Sequence, residues 1–304
     1  MKKFDALVLS GGGTKGLGQL GVLHYYYEKG LFDPKYIIDY AGTSVGSIIN
    51  LLLISGYAPI EILAEIYEIE NFFGADTENS IWKLIKNTGL LPIDPIIKIV
   101  ENLVKSKFGF IPTLQQLKIL TNKRMLAPAI NITRKKLIYF TPETHPDILV
   151  TEVCKLSSKL PLIFQQVQYK NEFYEDGGLA DNFPIRIIEK ERNILGVIVT
   201  GSDFANATSL PFINYIYRLI MFPIDTNTFL RCPENSDNFK KIYINFTGDA
   251  SLVISISLTT SKKMEMFMSG YKEAEREEKK EKLIINNWHW NINDGWDVSI
   301  CEWE

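Results

Sequence analysis

Tyr36-Ile37-Ile38-Asp39-Tyr40-Ala41-Gly42-Thr43-Ser44-Val45-Gly46-Ser47-Ile48-Ile49-Asn50-Leu51-Leu52-Leu53-Ile54 joins two apolar runs through a tight, glycine-flanked turn. Tyr36 to Ala41 has the length of a strand, and Ser47 to Ile54 reads as a helix. Between them, Gly42-Thr43-Ser44-Val45-Gly46 fits G-x-S-x-G. There the small residues Gly42 and Gly46 permit a sharp strand-to-helix turn that presents the Ser44 hydroxyl at a helix N-terminus. The helix dipole favours developing negative charge at that point. As a bare string the pattern is weak, and a serine in a structural turn is the competing reading; the strand before it and the helix after it give it weight.

The same order occurs one unit earlier. Phe4 to Ser10 is a short apolar run that stops at a glycine cluster, and Gly16 to Lys29 carries Leu17, Leu20, Gly21, Leu23 and His24 in helical spacing. Two consecutive strand–loop–helix units are consistent with βαβ construction. The loop Ser10-Gly11-Gly12-Gly13-Thr14-Lys15-Gly16 points backbone amides at one spot at a helix start, which suits an anion. That anion has two readings. In an acyl-transfer enzyme it is the tetrahedral oxyanion. Alternatively, Gly11, Gly13 and Gly16 spell G-x-G-x-x-G with Asp39 roughly 20 residues on, the fingerprint of a nucleotide-binding protein. A Walker loop is excluded, because Leu17 stands where lysine should follow the last glycine.

Further along, helices are expected over 59–69 and from Asp94-Pro95 onward, with Asp94 as N-cap and Ile96, Ile97, Val100, Leu103, Val104 and Phe108 as one stripe. Strands are expected over 127–133, 136–140, 194–200 and 241–246, and a charged helix over 261–282. The reading is one domain, residues 1–282, followed by a tail, 283–304, that carries Trp288, Trp290, Trp296 and Trp303 and forms either a strand pair or a docking segment. Segment 81–108, with Trp82 and several lysines beside an apolar stripe, either rests on a bilayer surface or packs on the core, the second being the favoured reading.

Composition narrows the function classes. With 304 residues, 46% hydrophobic and 23% charged, the chain can bury a large core. A net charge of −3 gives no general attraction to nucleic acid, so none is expected as a partner. Cys154, Cys232 and Cys301 match neither a disulfide framework nor metal-ligand spacing, and His24, His145 and His289 are scattered. Gly11 ends the first apolar run too early for a secretory leader, and no run reaches the ~18 apolar residues of a membrane span. The expected location is therefore cytoplasmic, with at most peripheral membrane contact. The sequons at Asn131, Asn206 and Asn245 are read as chance matches without an export signal.

A third motif completes the set: Asp176-Gly177-Gly178-Leu179-Ala180-Asp181-Asn182-Phe183-Pro184. Taken in order, the glycine loop, the serine turn and the Asp-Gly-Gly turn resemble the signature of the patatin-like phospholipase family. The resemblance extends through 90–108, Thr113-Leu114-Gln115-Gln116-Leu117, 157–164 and Gly270-Tyr271, and leaves the tryptophan-bearing tail outside. It implies a three-layer α/β/α sandwich with a mainly parallel central sheet. It further implies hydrolysis of fatty-acyl esters of lipid or phospholipid substrates by a Ser–Asp dyad, without metal or organic cofactor. Position by position, Ser44 is the expected nucleophile and Asp176 the base. Gly11, Gly12, Gly13 and Thr14 are the expected oxyanion donors, Lys15 stands at the family's basic position, and Gly42, Gly46, Gly177 and Gly178 shape the turns. Val45 departs from the small residue usual after the serine and is expected to narrow the pocket. A non-catalytic module that keeps this fold is the remaining alternative.

Overall fold

The computed structural model describes residues 3–67, 89–201, 212–246 and 258–293. Its centre is an eight-stranded sheet. Five strands are parallel neighbours: β1 (Ala6–Leu9), β2 (Asp39–Gly42), β4 (Arg124–Asn131), β9 (Ile194–Thr200) and β10 (Phe239–Asn245), in the spatial order β10-β9-β1-β2-β4. Beyond β4 the sheet turns antiparallel through β5 (Lys136–Phe140), β7 (Val167–Tyr169) and β8 (Glu172–Asp176). A small separate pair joins β3 (Gly89–Leu91) to β6 (Leu162–Phe164).

Alternation along the buried strands separates two cores. Leu7 and Leu9 of β1 join Leu195, Val197 and Val199 of β9 in the larger one, while Ala6, Val8, Ile194 and Ile198 face the smaller one. Both faces are thus covered, which is why β1 and β9 read as continuous apolar runs. The larger core is covered by helices α1 (Gly16–Glu28), α2 (Val45–Ile54), α3 (Pro59–Tyr67), α4 (Asp94–Phe108), α5 (Leu114–Thr121), α6 (Val150–Ser157) and α9 (Thr260–Asn293). The other face is covered more thinly, by Phe183, Ile185 and Ile188 following the short helix α7 (Gly178–Asp181). Helix α8 (Phe212–Arg231) leans on α7. The sheet is flanked on both sides, as the three-layer expectation requires.

Helices α1 and α9 meet backbone to backbone. A Cβ on Gly21 would lie 1.9 Å from the Phe267 carbonyl oxygen, and one on Gly270 would lie 1.9 Å from that of Gly18. Only glycine permits this approach.

Several elements differ from the sequence reading. Asp94 is the first residue of α4 rather than its cap, and its carboxylate pairs with Lys155 at 2.7 Å. The apolar stripe of α4 buries Ile97, Val100 and Val104 inward and leaves its lysines in solvent, so the core-packing reading holds for this helix. Residues 68–88, including Trp82, lie outside the described residues, as do Asn206 and Cys301. Residues 286–293 are helical, because α9 continues through Lys282 and Leu283 to Asn293.

Candidate active site

The serine turn grows directly out of the sheet. β2 runs parallel to β1 through Leu9↔Gly42, and the chain reverses within two residues into α2. That reversal places Ser44 at φ 54°, ψ −126°, backbone space that L-residues avoid and that a fold retains only when its surroundings enforce it. Gly46 makes the turn possible, since a Cβ there would sit 2.7 Å from the Leu9 carbonyl oxygen. Three bonds hold the serine in place: its N–H donates to Ser157 Oγ at 3.1 Å, Ser47 Oγ donates to its carbonyl at 2.6 Å, and Thr43 Oγ1 donates to the Asp181 carbonyl at 2.9 Å.

Asp176 arrives from the opposite direction. β2 is parallel to β4, with Ala41 opposite Leu126; β8 is antiparallel to it, with Asp176 opposite Ala129. Both strands therefore end pointing at the middle of β4, and register alone brings the serine turn and the aspartate together across some 130 residues of sequence. The Ser44 hydroxyl lies near enough to the Asp176 carboxylate to favour its charged form, and Gly178 N–H donates to Asp176 Oδ1 at 2.7 Å. Burial outweighs both influences and pushes the Asp176 carboxyl up to about 7, with a small push in the same direction from Glu175. Glu175 itself is paired with the fully buried Lys159.

The glycine loop lies beside the serine: an added Cβ on Gly11 would come 3.3 Å from Ser44 Cβ. The loop corrects one expectation. The Gly11 amide donates to the Asn182 carbonyl at 3.1 Å, so it serves to hold the Asp-Gly-Gly turn and is not an available donor. No acceptor among the described residues takes the amides of Gly12 or Gly13. Thr14 lines the same space. Lys15 points away from it, buried, with Nζ donating to the Gly201 carbonyl at 2.9 Å. Burial lowers its pKa, and Asp225 of α8 opposes that shift.

Below Ser44 opens a cavity of about 230 Å³. Its floor is almost wholly aliphatic, including Leu20, Val45, Ile48, Ile96 and Leu103, and it reaches Leu258 and Lys263. Val45 stands in its wall as expected, packed over Gly16. Its polar lining includes Ser44, Asp176, Ser158 and Asn182, beside the glycine loop. Asn182 and Ser157 had no assigned role in the sequence reading. Asn182 was quoted within the third motif, and its side-chain oxygen sits where a Cβ on either Gly11 or Gly178 would strike it, at 2.5 and 2.9 Å.

Other groups stay away from this site. His24 stacks near Phe267 and Tyr271, and His145 near Phe140. Neither lines the cavity, and the side chain of His289 lies outside the described ones. Among the described residues no His, Cys, Asp and Glu side chains form a group able to hold a metal ion. Asp39, the acid of the nucleotide reading, is fully buried and ion-paired with Arg124 at 3.0 Å and Arg192 at 2.9 Å, so it cannot reach a ribose. No helix among the described residues is long and apolar enough to cross a membrane.

Comparison with known proteins places the chain in a family. A protein of Invertebrate iridescent virus 6 named "Probable lipid hydrolase" is 35% identical over 63% of this chain and 66% of its own length. An uncharacterized protein of Acanthamoeba polyphaga mimivirus is 24% identical over 89% of this chain and 92% of its own. Among solved structures, VipD from Legionella pneumophila shares the fold with a TM-score of 0.56 at 18% identity, over 90% of this chain and 66% of that one. The chain thus spans just under two thirds of the viral lipid hydrolase and of VipD. Residues 7–188, which hold the glycine loop, the serine turn and the Asp-Gly-Gly turn, match the family described as patatin-like phospholipase, and the chain belongs to that family.

Proposed function

We propose that this protein is a serine hydrolase that cleaves fatty-acyl ester bonds of lipids, with Ser44 as nucleophile, Asp176 as base and an acyl-enzyme intermediate. The observation that carries this reading is the strained Ser44 beside a buried carboxylate of near-neutral pKa, both lining an aliphatic cavity. An ordinary aspartate, with pKa near 3.8, is too weak a base for a hydroxyl. Raised to about 7, Asp176 can take the Ser44 proton as Oγ attacks the ester carbonyl. The amides of Gly12 and Gly13 are free to donate to the oxyanion that develops, and the α1 dipole behind them adds to that field. The protonated Asp176 then delivers its proton to the departing alcohol, leaving Ser44 acylated. A water, deprotonated by the same carboxylate, attacks the acyl carbonyl, releases the fatty acid and returns the proton to Ser44 Oγ. The cavity supplies substrate selection, because each buried methylene of the acyl chain contributes about 0.8 kcal/mol.

A fluorophosphonate probe tests the assignment. Labelling of one serine in the native chain, with loss of label in Ser44→Ala at unchanged circular dichroism, is the expected result. Equal labelling of Ser44→Ala overturns it.

A further inference from the structure

Helix α8, Phe212–Arg231, is apolar on two opposite faces. Its inner face sets Met221 and Ile224 into the wall of the Ser44 cavity, with Ile224 and Thr228 buried. Its outer face exposes Tyr215, Leu219, Phe222, Phe229 and Leu230, the last four at 54–74% of their full accessible surface. At 3.6 residues per turn these five fall within an arc of about 100°, roughly opposite Met221, Ile224 and Thr228. An ordinary surface helix turns charge to the water, and α9 of the same protein does so through the pairs Lys262–Glu265, Arg276–Glu273 and Lys280–Glu277. α8 presents phenylalanines there instead.

We infer that the outer face of α8 is the surface by which this protein sits on a lipid bilayer, with Phe222, Phe229 and their neighbours in the acyl region and the cavity mouth held against the membrane. The inference rests on the hydrolase reading above, which makes the cavity an acyl-chain site. Long-chain lipids have negligible concentrations as monomers in water, so a substrate chain must pass from an aggregate into the cavity. Among the described residues, α8 forms both a wall of the cavity and an exposed apolar surface, and there that passage costs least. Its outer residues would bury in the aggregate while its inner residues receive the chain.

Two features tie α8 to the chemistry. Pro223 lies inside the helix, between the pocket-lining Met221 and Ile224, where it removes a backbone hydrogen bond and creates a bending point. Asp225 faces the buried Lys15 of the glycine loop, and Arg231 Nη1 donates to the Ala180 carbonyl at 3.0 Å, so the helix rests on both catalytic turns.

The test is flotation of the full chain with vesicles of pure phosphatidylcholine and of phosphatidylcholine with phosphatidylglycerol. The native chain is compared with the quadruple variant Leu219→Ser, Phe222→Ser, Phe229→Ser, Leu230→Ser, and with Phe222→Leu, Phe229→Leu. The expected result is that the native and leucine forms float, while the serine form loses roughly 100-fold in partition coefficient. All three keep hydrolysis of a water-soluble short-chain ester, which also shows that the serine form is folded. Hydrolysis of the vesicle lipid falls in parallel with flotation. The inference is overturned if the serine form floats like the native chain, if the native chain stays in the aqueous fraction with both vesicles, or if the native chain is a dimer that the serine form splits. Absence of soluble-ester hydrolysis in the native chain would instead remove the hydrolase reading, which flotation does not depend on.

Discussion

At the scale of single residues, the proposed base Asp176 is where activity and stability would oppose each other. Its carboxyl rises from 3.8 to about 7 because burial disfavours the charge, which corresponds to a cost on the order of 4 kcal/mol for keeping it ionised in the folded chain. The sign follows from the direction of the shift. The cost is absent below the unfolded pKa, grows as pH rises through the window between the two values, and is complete above the folded pKa. Asp176→Asn retains an acceptor for Gly178 N–H and removes the buried charge, yet cannot take a proton. Hydrolysis of a chromogenic ester by this variant should fall by several orders of magnitude. Its thermal melt at pH 8 should exceed that of the native chain by several degrees, with the advantage gone near pH 4. The native kcat/KM should rise with pH and level off with a midpoint close to 7. A variant that melts lower than the native chain at pH 8 would show that Asp176 is not a desolvated base.

Elements explain what could and could not be read from sequence. β1 and β9 are apolar along nearly their whole length because both faces are covered, and the pattern shows it; β2 is equally buried but opens on the ion-paired Asp39. β8, Glu172-Phe173-Tyr174-Glu175-Asp176, carries three acids and half-buried side chains, so neither periodicity nor hydrophobicity marks it as a strand. α8 has no counterpart in the sequence reading, because Pro223 at its centre reads as a break. Motifs located Ser44 and Asp176, since each needs glycines beside it. What brings them together is the register of β2 and β8 on β4, and that is a long-range property with no local signal. The same holds for the amide of Gly11: composition shows that it can donate, whereas only the fold shows that Asn182 already accepts from it. The contact of α1 with α9 gives the element-scale prediction. Gly21→Ala places a methyl 1.9 Å from the Phe267 carbonyl oxygen on a rigid helix, so the helices must separate. Overpacking of this kind costs about 1–3 kcal/mol. A melt within half a degree of the native one would show that α9 yields freely.

Across the whole molecule, the proposed two-residue site differs from the triad used by other hydrolases with the same serine turn. Such a triad needs a histidine between acid and serine. Here the acid lies beside the serine, and no histidine is among the residues that line the cavity around them. His24 is engaged on α1, beside Glu28 and the rings of α9, and His145 sits against Phe140 at a distance from the cavity. Only His289, on the last turns of α9, could supply a histidine from elsewhere in the chain. These facts separate two origins for any activity titrating near pH 7, which a histidine of ordinary pKa and a desolvated aspartate would otherwise share. The variant His24→Gln, His145→Gln, His289→Gln removes every imidazole from the protein. It should hydrolyse a chromogenic ester within about tenfold of the native rate, the allowance covering lost packing at His24 and His145. The midpoint of its pH profile should remain close to 7, because the group that titrates is Asp176. A loss of several orders of magnitude confined to His289→Gln, at an unchanged melt, would instead make the site a triad.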